Sequence, residues 1–257
     1  MRLKTAASLI LVLSATAASA ADTAPLALYQ AGKYEEAIKA GTAQNDAEGY
    51  TVAARAELAK EMMRDAPCLS CLQQAEAYAR KAVAEDPKRP ECRVYLAAAL
   101  GYESRIIGTM AAKFRGYAGD AKTNIDAALA SQPGDAWALA ALGGWHFAVV
   151  QGGGRLLASM TYGASVDKGQ KAFDAAIAAD PGNIVIRFQY VLSLSSYDRE
   201  AYAKEIESAL QAAANGQPKT AYDAFTQGHA RTLLDAMKRS DWKTYDALVR
   251  HYQGYPA

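Results

Sequence analysis

The stretch AEAYARKAVAEDP, from Ala75 to Pro87, contains the pattern that decides the fold of this chain. Ala75, Ala79 and Ala82 are four and three residues apart, so they lie on one face of a helix that the Asp-Pro pair ends. The same spacing recurs twice, in Ala121, Ile125, Ala128 and Pro133, and in Gly169, Phe173, Ala176 and Pro181. Small side chains on such a face allow a neighbouring helix to approach closely. The pattern therefore predicts three helices that end alike and pack tightly.

A second helical segment follows each of these prolines. The three segments are RVYLAAAL, WALAALGGWHF and VIRFQYVLSL, at residues 93–100, 137–147 and 185–194. The 257-residue chain is rich in alanine, contains only 8 prolines and has few runs of β-branched residues, which favours helices over strands. We therefore predict an all-α protein with about a dozen helices and no sheet.

The start of the chain shows the same organisation in another phase. The segment LYQAGKYEEAIKA, at residues 28–40, combines an apolar helix end, a turn at Gly32 and a new helix with Tyr34 and Ala37 facing inward. Together with the proline-ended segments and the Leu142-Gly143 pair, it resembles the tetratricopeptide repeat, a helix-turn-helix unit that stacks into a solenoid. The resemblance implies a tetratricopeptide-like α-solenoid or a helical-repeat bundle.

The repeats of this chain are longer than those of the tetratricopeptide family. Pro87 and Pro133 are 133 − 87 = 46 residues apart, and Pro133 and Pro181 are 181 − 133 = 48 residues apart. The family period is about 34 residues. Each unit therefore has room for an additional short helix.

Two similar hexapeptides fall in this additional length: RIIGTM, at residues 105–110, and RLLASM, at residues 155–160. We predict that they form equivalent inserted helices of consecutive repeats and pack against the main helix pairs. The apolar positions on their packing faces are Ile106, Ile107, Met110 and Phe114 in the first helix, and Leu156, Leu157 and Met160 in the second. The alternative gives Arg105 and Arg155 a role facing a ligand.

The first twenty residues have the features of a signal peptide. A basic MRLK is followed by the short apolar run AASLILVLSATA and by the small-residue cleavage motif Ala18-Ser19-Ala20. We predict cleavage after Ala20 and a periplasmic or secreted protein. No later apolar stretch approaches the roughly 20 residues that a transmembrane helix needs, so membrane insertion is not expected.

The mature chain, residues 21–257, is predicted to be a single helical-repeat domain. It divides into an N-terminal repeat at 21–66, two to three long-period repeats at 67–197 and C-terminal capping helices at 198–257. The final helix pair has a polar face, which suits an end repeat that is solvated on one side.

The charges of the mature chain are balanced. Loss of Arg2 and Lys4 with the signal peptide leaves 28 − 2 = 26 basic residues against 27 acidic residues. This balance argues against nucleic-acid binding and against a polybasic membrane patch. The expected partner is a protein or peptide, with a small apolar ligand as the alternative, and the oligomeric state stays open.

The chain contains three cysteines: Cys68, Cys71 and Cys92. An exported protein can form disulfides, and a Cys68–Cys71 bridge is easier than a bond to Cys92 at the far end of the following helix. We predict a structural disulfide between Cys68 and Cys71 and a buried Cys92. A redox-active pair or reduced thiols are the alternatives. Three clustered cysteines fall short of the four ligands of a zinc site.

The sequence contains no recognisable catalytic constellation. His146, His229 and His251 lie in separate segments, and neither an HExxH motif nor a GxSxG motif is present. The run Gly152–Gly154 lacks the GK[ST] of a phosphate-binding loop and is predicted to link two helices. We therefore predict a protein that is not an enzyme and has no cofactor or metal. A thiol oxidoreductase at the cysteine pair, or a hydrolase, is the weakest of the functions considered.

The expected binding surface follows from the tetratricopeptide resemblance. With Leu142-Gly143 aligned to the Leu-Gly pair of that family, the resemblance implies a concave apolar surface formed by Tyr102, Trp137, Phe147 and Phe188. We add His146 and Arg155 to the predicted binding residues. The predicted function is protein or peptide interaction through this groove. The alternative is a periplasmic small-molecule carrier, or a transport accessory protein, with an enclosed apolar pocket.

Overall fold

The computed structural model describes residues 24–256, and this part of the chain forms thirteen helices and no strand. The helices are α1 (Pro25–Gln30), α2 (Tyr34–Gln44), α3 (Ala47–Met62), α4 (Leu69–Glu85), α5 (Pro90–Ile107), α6 (Thr109–Phe114), α7 (Tyr117–Ser131), α8 (Ala136–Tyr162), α9 (Val166–Ala179), α10 (Ile184–Asp198), α11 (Ala203–Ala214), α12 (Ala221–Lys238) and α13 (Trp242–Tyr252). The predicted all-α fold class is confirmed. The predicted signal peptide, residues 1–20, lies outside the described residues.

Three helical hairpins, α4–α5, α7–α8 and α9–α10, contain the pattern that repeats along the sequence. All nine of its small and apolar positions are buried: Ala75, Ala79, Ala82, Ala121, Ile125, Ala128, Gly169, Phe173 and Ala176. The close approach of the helices depends on glycine in α8. A Cβ on Gly143 would lie 2.6 Å from a ring carbon of Phe173. The predicted inward face is therefore the face along which the hairpins pack.

The turns of these hairpins share one geometry. In each turn the residue before the proline is non-helical, with φ and ψ of −137° and 88° at Asp86, −144° and 89° at Gln132, and −136° and 81° at Asp180. A following proline disfavours the helical conformation at this position. In each turn a backbone hydrogen bond spans the proline. The N–H groups of Arg89, Asp135 and Asn183 donate to the carbonyls of Asp86, Gln132 and Asp180, over 3.3, 3.1 and 3.1 Å. The next helix then begins at the third position after the proline.

The inserted helices exist, but the pairing of the two hexapeptides is wrong. Gly108 ends α5 with φ 83° and ψ 159°, and Gly154 interrupts α8 with φ 76° and ψ 161°. The equivalent short helices therefore begin at Thr109 and Arg155, 155 − 109 = 46 residues apart, which is also the spacing of the first two prolines. RIIGTM spans its glycine break, whereas RLLASM follows its break.

The predicted packing of the inserted helices is also wrong in large part. Met110, Phe114, Leu156, Leu157 and Met160 are exposed. The small residues Ala112 and Ala158, at equivalent positions, are buried instead. Each inserted helix thus packs through a small residue and presents its large apolar side chains to solvent.

Six helices form a closed ring in the interior of the protein. Contacts run from α1 to α3, α3 to α5, α5 to α8, α8 to α10, α10 to α12, and from α12 back to α1. At this last junction, a Cβ on Gly32 would lie 2.8 Å from the Cβ of Ala221. The segment after α13 adds a second closure, because the Arg105 guanidinium donates to the carbonyl of Gln253. The ring surrounds the candidate site.

Candidate functional site

A cavity of about 560 Å³ lies inside the ring of helices. All six ring helices contribute to its wall, together with residues of α6, α7 and α9. The aliphatic part of the wall comes from residues such as Leu58, Leu100, Ile125, Val149 and Ile186. A cavity of this size and character is typical of sites for small molecules, which combine apolar walls with a few polar groups.

Three basic side chains, Arg55, Arg105 and Lys113, line this cavity, and Arg55 lies deepest among aromatic rings, away from the mouth. The guanidinium carbon of Arg55, on α3, lies 4.1 Å from the ring centroid of Tyr29 and 5.8 Å from that of Tyr95. Tyr102 and Tyr222 line the same cavity. These four tyrosines come from three different helices, α1, α5 and α12. A tyrosine combines an apolar ring face with a polar hydroxyl, which suits a binding surface.

Burial by itself lowers the pKa of Arg55, whereas nearby groups that include the charge of Glu91 raise it, but Glu91 does not form an ion pair with Arg55. Arg55 forms no ion pair with a carboxylate of residues 24–256, and a guanidinium stays protonated inside a protein. Burial raises the pKa of Tyr29, although Arg55 opposes this effect, and burial also raises the pKa of Tyr222. Both phenols are therefore neutral at pH 7. The cavity wall contains a positive charge that a ligand could neutralise.

The cavity opens beside the inserted helices. Its exposed lining residues are Gly108 and residues of α6 or of α8 from Ala148 onward: Gly108, Thr109, Met110, Lys113, Ala148, Gln151, Gly152, Gly153, Leu157 and Thr161. The other lining residues are buried or half-buried. Tyr95 and Gly108 are 13 residues apart along α5, which corresponds to roughly 20 Å. The cation and the mouth are thus well separated.

Two of the six predicted binding residues, Tyr102 and Trp137, line the cavity. Phe147 is buried against Phe173, with ring centroids 6.2 Å apart, and lies outside the cavity wall. Arg155 is exposed at the start of the second inserted helix. The structure therefore does not bring all six residues together.

Two predicted residues are part of the helix packing. His146 is buried beside Trp145, its ring centroid 5.0 Å away, and burial lowers the pKa of its imidazole to about 4. Its Nδ1 has no hydrogen-bond partner within residues 24–256. Phe188 is buried beside the stacked rings of His229 and Tyr252, at centroid distances of 6.2 and 5.9 Å. These residues contribute to the core around the cavity.

Sequence analysis missed the residues around the cation. Arg55 lies in the segment VAARAELA, where it is the one basic residue and Glu57 is the one acidic residue among apolar and small residues. That isolation was an available signal, because a buried arginine is uncommon. Tyr29 and Tyr222 lie 222 − 29 = 193 residues apart in the sequence, and no local pattern connects them.

The cysteine pair lies away from this cavity. Cys68 and Cys71 are joined in a disulfide at the start of α4, with their Cα atoms 5.2 Å apart. A carboxylate oxygen of Glu61 accepts a hydrogen bond of 2.8 Å from the N–H of Cys68. Although these three residues cluster with the spacing of metal ligands, the two sulfurs are bonded to each other. Cys92 is a buried thiol 3.1 Å from the Thr51 hydroxyl, and burial raises its pKa.

The fold defines residues 24–256 as an all-helical ring with an internal cavity. Among residues 24–256, no helix has the length and apolarity needed to cross a bilayer. A family model described as Regulator of microtubule dynamics protein 1-3 matches residues 27–238. The chain belongs to this family. No individual curated protein matches it.

Proposed function

We propose that this protein is an exported, tetratricopeptide-like carrier that binds a small apolar molecule with a negatively charged group. The observation that supports this proposal is Arg55, a cation that lies in the wall of an apolar cavity and forms no ion pair with a carboxylate of residues 24–256. A ligand anion would form a charge-assisted hydrogen bond with the guanidinium, and such bonds are stronger where water is excluded. No catalytic step is assigned to the protein.

The shape of the cavity supports a long ligand. Its volume of about 560 Å³ falls within the range of ligand pockets in proteins, and roughly 20 Å of α5 separates the level of Tyr95 from the mouth. An anionic group beside Arg55 would leave the apolar part of the ligand against the aliphatic wall. Burial of that part supplies affinity in proportion to the area removed from water.

The closed ring favours the carrier over an open peptide groove. The contact of α1 with α12 and the bond from Arg105 to Gln253 enclose the concave side of the helices. An extended peptide would need that side to be open along its length. The family name refers to the regulation of microtubule dynamics, and the carrier proposal assigns no contact with microtubules to this chain.

Native mass spectrometry of protein purified without detergent tests the proposal. We expect an added mass that disappears on denaturation, and extraction should release an acidic apolar compound. In Arg55→Met the added mass should be lost while the far-UV circular dichroism stays helical. Arg239→Met removes an exposed arginine from a helix end and should retain the ligand. Equal ligand retention in Arg55→Met and wild type would contradict the proposal.

A further inference from the structure

The two inserted helices present large apolar side chains to solvent at equivalent positions. We call α6 and residues 155–162 of α8 the tip helices. Met110 and Phe114 are 64% and 83% exposed in the first tip helix, and their equivalents Leu156 and Met160 are 75% and 78% exposed in the second. These are the four most exposed large apolar side chains of residues 24–256. Repetition at equivalent positions indicates a shared surface.

The start of the first tip helix lies against the residues just before the second, beside the cavity mouth. A Cβ on Gly152, just before the second tip helix, would lie 3.3 Å from the methyl carbon of Thr109, the first residue of α6. Met110 and Leu157 are exposed and also line the cavity. The apolar surface is therefore continuous with the apolar interior of the ring.

The charged residues within the tip-helix segments of the sequence are all basic. Lys113, Arg115 and Arg155 are exposed there. No acidic residue occurs between positions 104 and 119 or between positions 136 and 166. Apolar side chains beside basic ones are typical of helices that lie in the interface of an anionic membrane, where long cationic side chains extend to the headgroups.

We propose that the tip helices bind the surface of an anionic lipid bilayer and place the mouth of the cavity against it. A bilayer fits better than a protein partner because four side chains on two short helices fall well below the roughly 800 Å² that each partner of a stable protein interface buries. A membrane surface requires only shallow apolar insertion and opposite charge. This inference stands on the tip helices and does not depend on the identity of the ligand.

Vesicle co-sedimentation tests the binding. We expect the protein to bind vesicles of equal parts phosphatidylglycerol and phosphatidylcholine more tightly than vesicles of phosphatidylcholine alone. Replacement of Met110, Phe114, Leu156 and Met160 by serine should weaken binding by more than about tenfold, because their apolar area no longer leaves water. Lys113→Gln with Arg155→Gln should weaken it by about fivefold for each cation at low salt. Leu26→Ser with Met63→Ser removes exposed apolar residues elsewhere and should leave binding unchanged.

Fluorescence shows whether the tip itself enters the bilayer. The added emission of Phe114→Trp should shift to the blue on vesicle binding and be quenched by brominated lipid, whereas that of Met63→Trp should not. Absence of vesicle binding by the wild type, or undiminished binding by the serine variant, would overturn the proposal. Loss of a concentration-dependent dimer in the serine variant, without any vesicle binding, would overturn it in favour of contact between two copies.

Discussion

The guanidinium carbon of Arg55 lies 4.1 Å from the ring centroid of Tyr29. This contact joins α3 to the six-residue helix α1, which also meets α12 where the ring closes. A helix as short as α1 has little stability of its own, so its position depends on tertiary contacts. The same cation therefore has two roles: it holds the closing helix, and it faces the cavity.

Substitution at Tyr29 tests the structural role. Tyr29→Leu removes the ring face and should lower the free energy of unfolding by about 2 kcal/mol, the size of a cation–π contact away from water. Tyr29→Phe keeps the face and removes only the hydroxyl, so it should cost clearly less. Urea denaturation followed by circular dichroism measures both values. If the Phe variant were as unstable as the Leu variant, the hydroxyl and not the stacking would hold α1.

The hairpin helices were predictable because their pattern is local. Ala75, Ala79 and Ala82 lie within two turns of one helix, and the proline five residues later ends it. The ring closure was not predictable in this way, because Gly32 and Ala221 meet only after all the intervening helices have packed. A pattern within the sequence predicts which face of a helix is buried. Closure of the ring depends on the packing angles between successive helices, which such a pattern does not predict.

The error in pairing the hexapeptides has a conformational cause. The similarity of the two hexapeptide sequences aligns Arg105 with Arg155. The helices, however, are interrupted at Gly108 and Gly154, which have positive φ. Alignment on these glycines gives the spacing of 46 residues that the prolines already showed. Backbone conformation decides which residues of the two inserted helices are equivalent, and similarity between side chains does not reveal that conformation.

The balance of charge over the whole chain hid a local imbalance. Basic residues are nearly equal in number to acidic ones in the mature sequence, yet the tip helices have only basic ones. The local charge is visible in the structure, because Lys113 and Arg155 are both exposed on the tip helices. A whole-chain sum therefore argues only against a large basic surface.

The glycine break in α8 gives a second prediction. Gly154 has φ 76° and ψ 161°, a region that is almost restricted to glycine, and a Cβ there would touch no other group within 4 Å. Gly154→Ala should therefore lower the free energy of unfolding by about 1–3 kcal/mol through backbone strain alone. Urea denaturation provides the measurement.

The neighbouring glycine provides the control for this substitution. At Gly153 an added Cβ would make an ordinary contact of 3.6 Å with Leu157. Gly153→Ala should be neutral or should stabilise the protein by up to about 1 kcal/mol, because alanine loses less conformational freedom in a helix. Equal effects of the two substitutions would mean that the break at Gly154 is not required.

The buried imidazole of His146 predicts how stability changes with pH. Burial lowers its pKa from the usual 6.5 to about 4 in the folded protein. Between these values the unfolded chain binds a proton that the folded chain does not bind, so the free energy of unfolding falls as the pH decreases from 6.5 to 4. Above pH 6.5 the neutral imidazole causes no loss of stability. Between pH 6.5 and 4 the free energy of unfolding falls by on the order of 3 kcal/mol at most because of this residue.

His146→Leu isolates this contribution, because it replaces the imidazole by an apolar side chain at a site where Nδ1 has no hydrogen-bond partner within residues 24–256. We expect little change in stability at pH 7 and a clearly smaller fall between pH 6.5 and 4.5, measured by urea denaturation at several pH values. His229, whose pKa burial also lowers to about 4, should maintain part of the fall in this variant. Glu103, whose pKa burial raises to about 7, acts in the opposite direction in both proteins, so the difference between them reports the imidazole. Parallel pH profiles for the variant and the wild type would show that folding does not lower the pKa of His146.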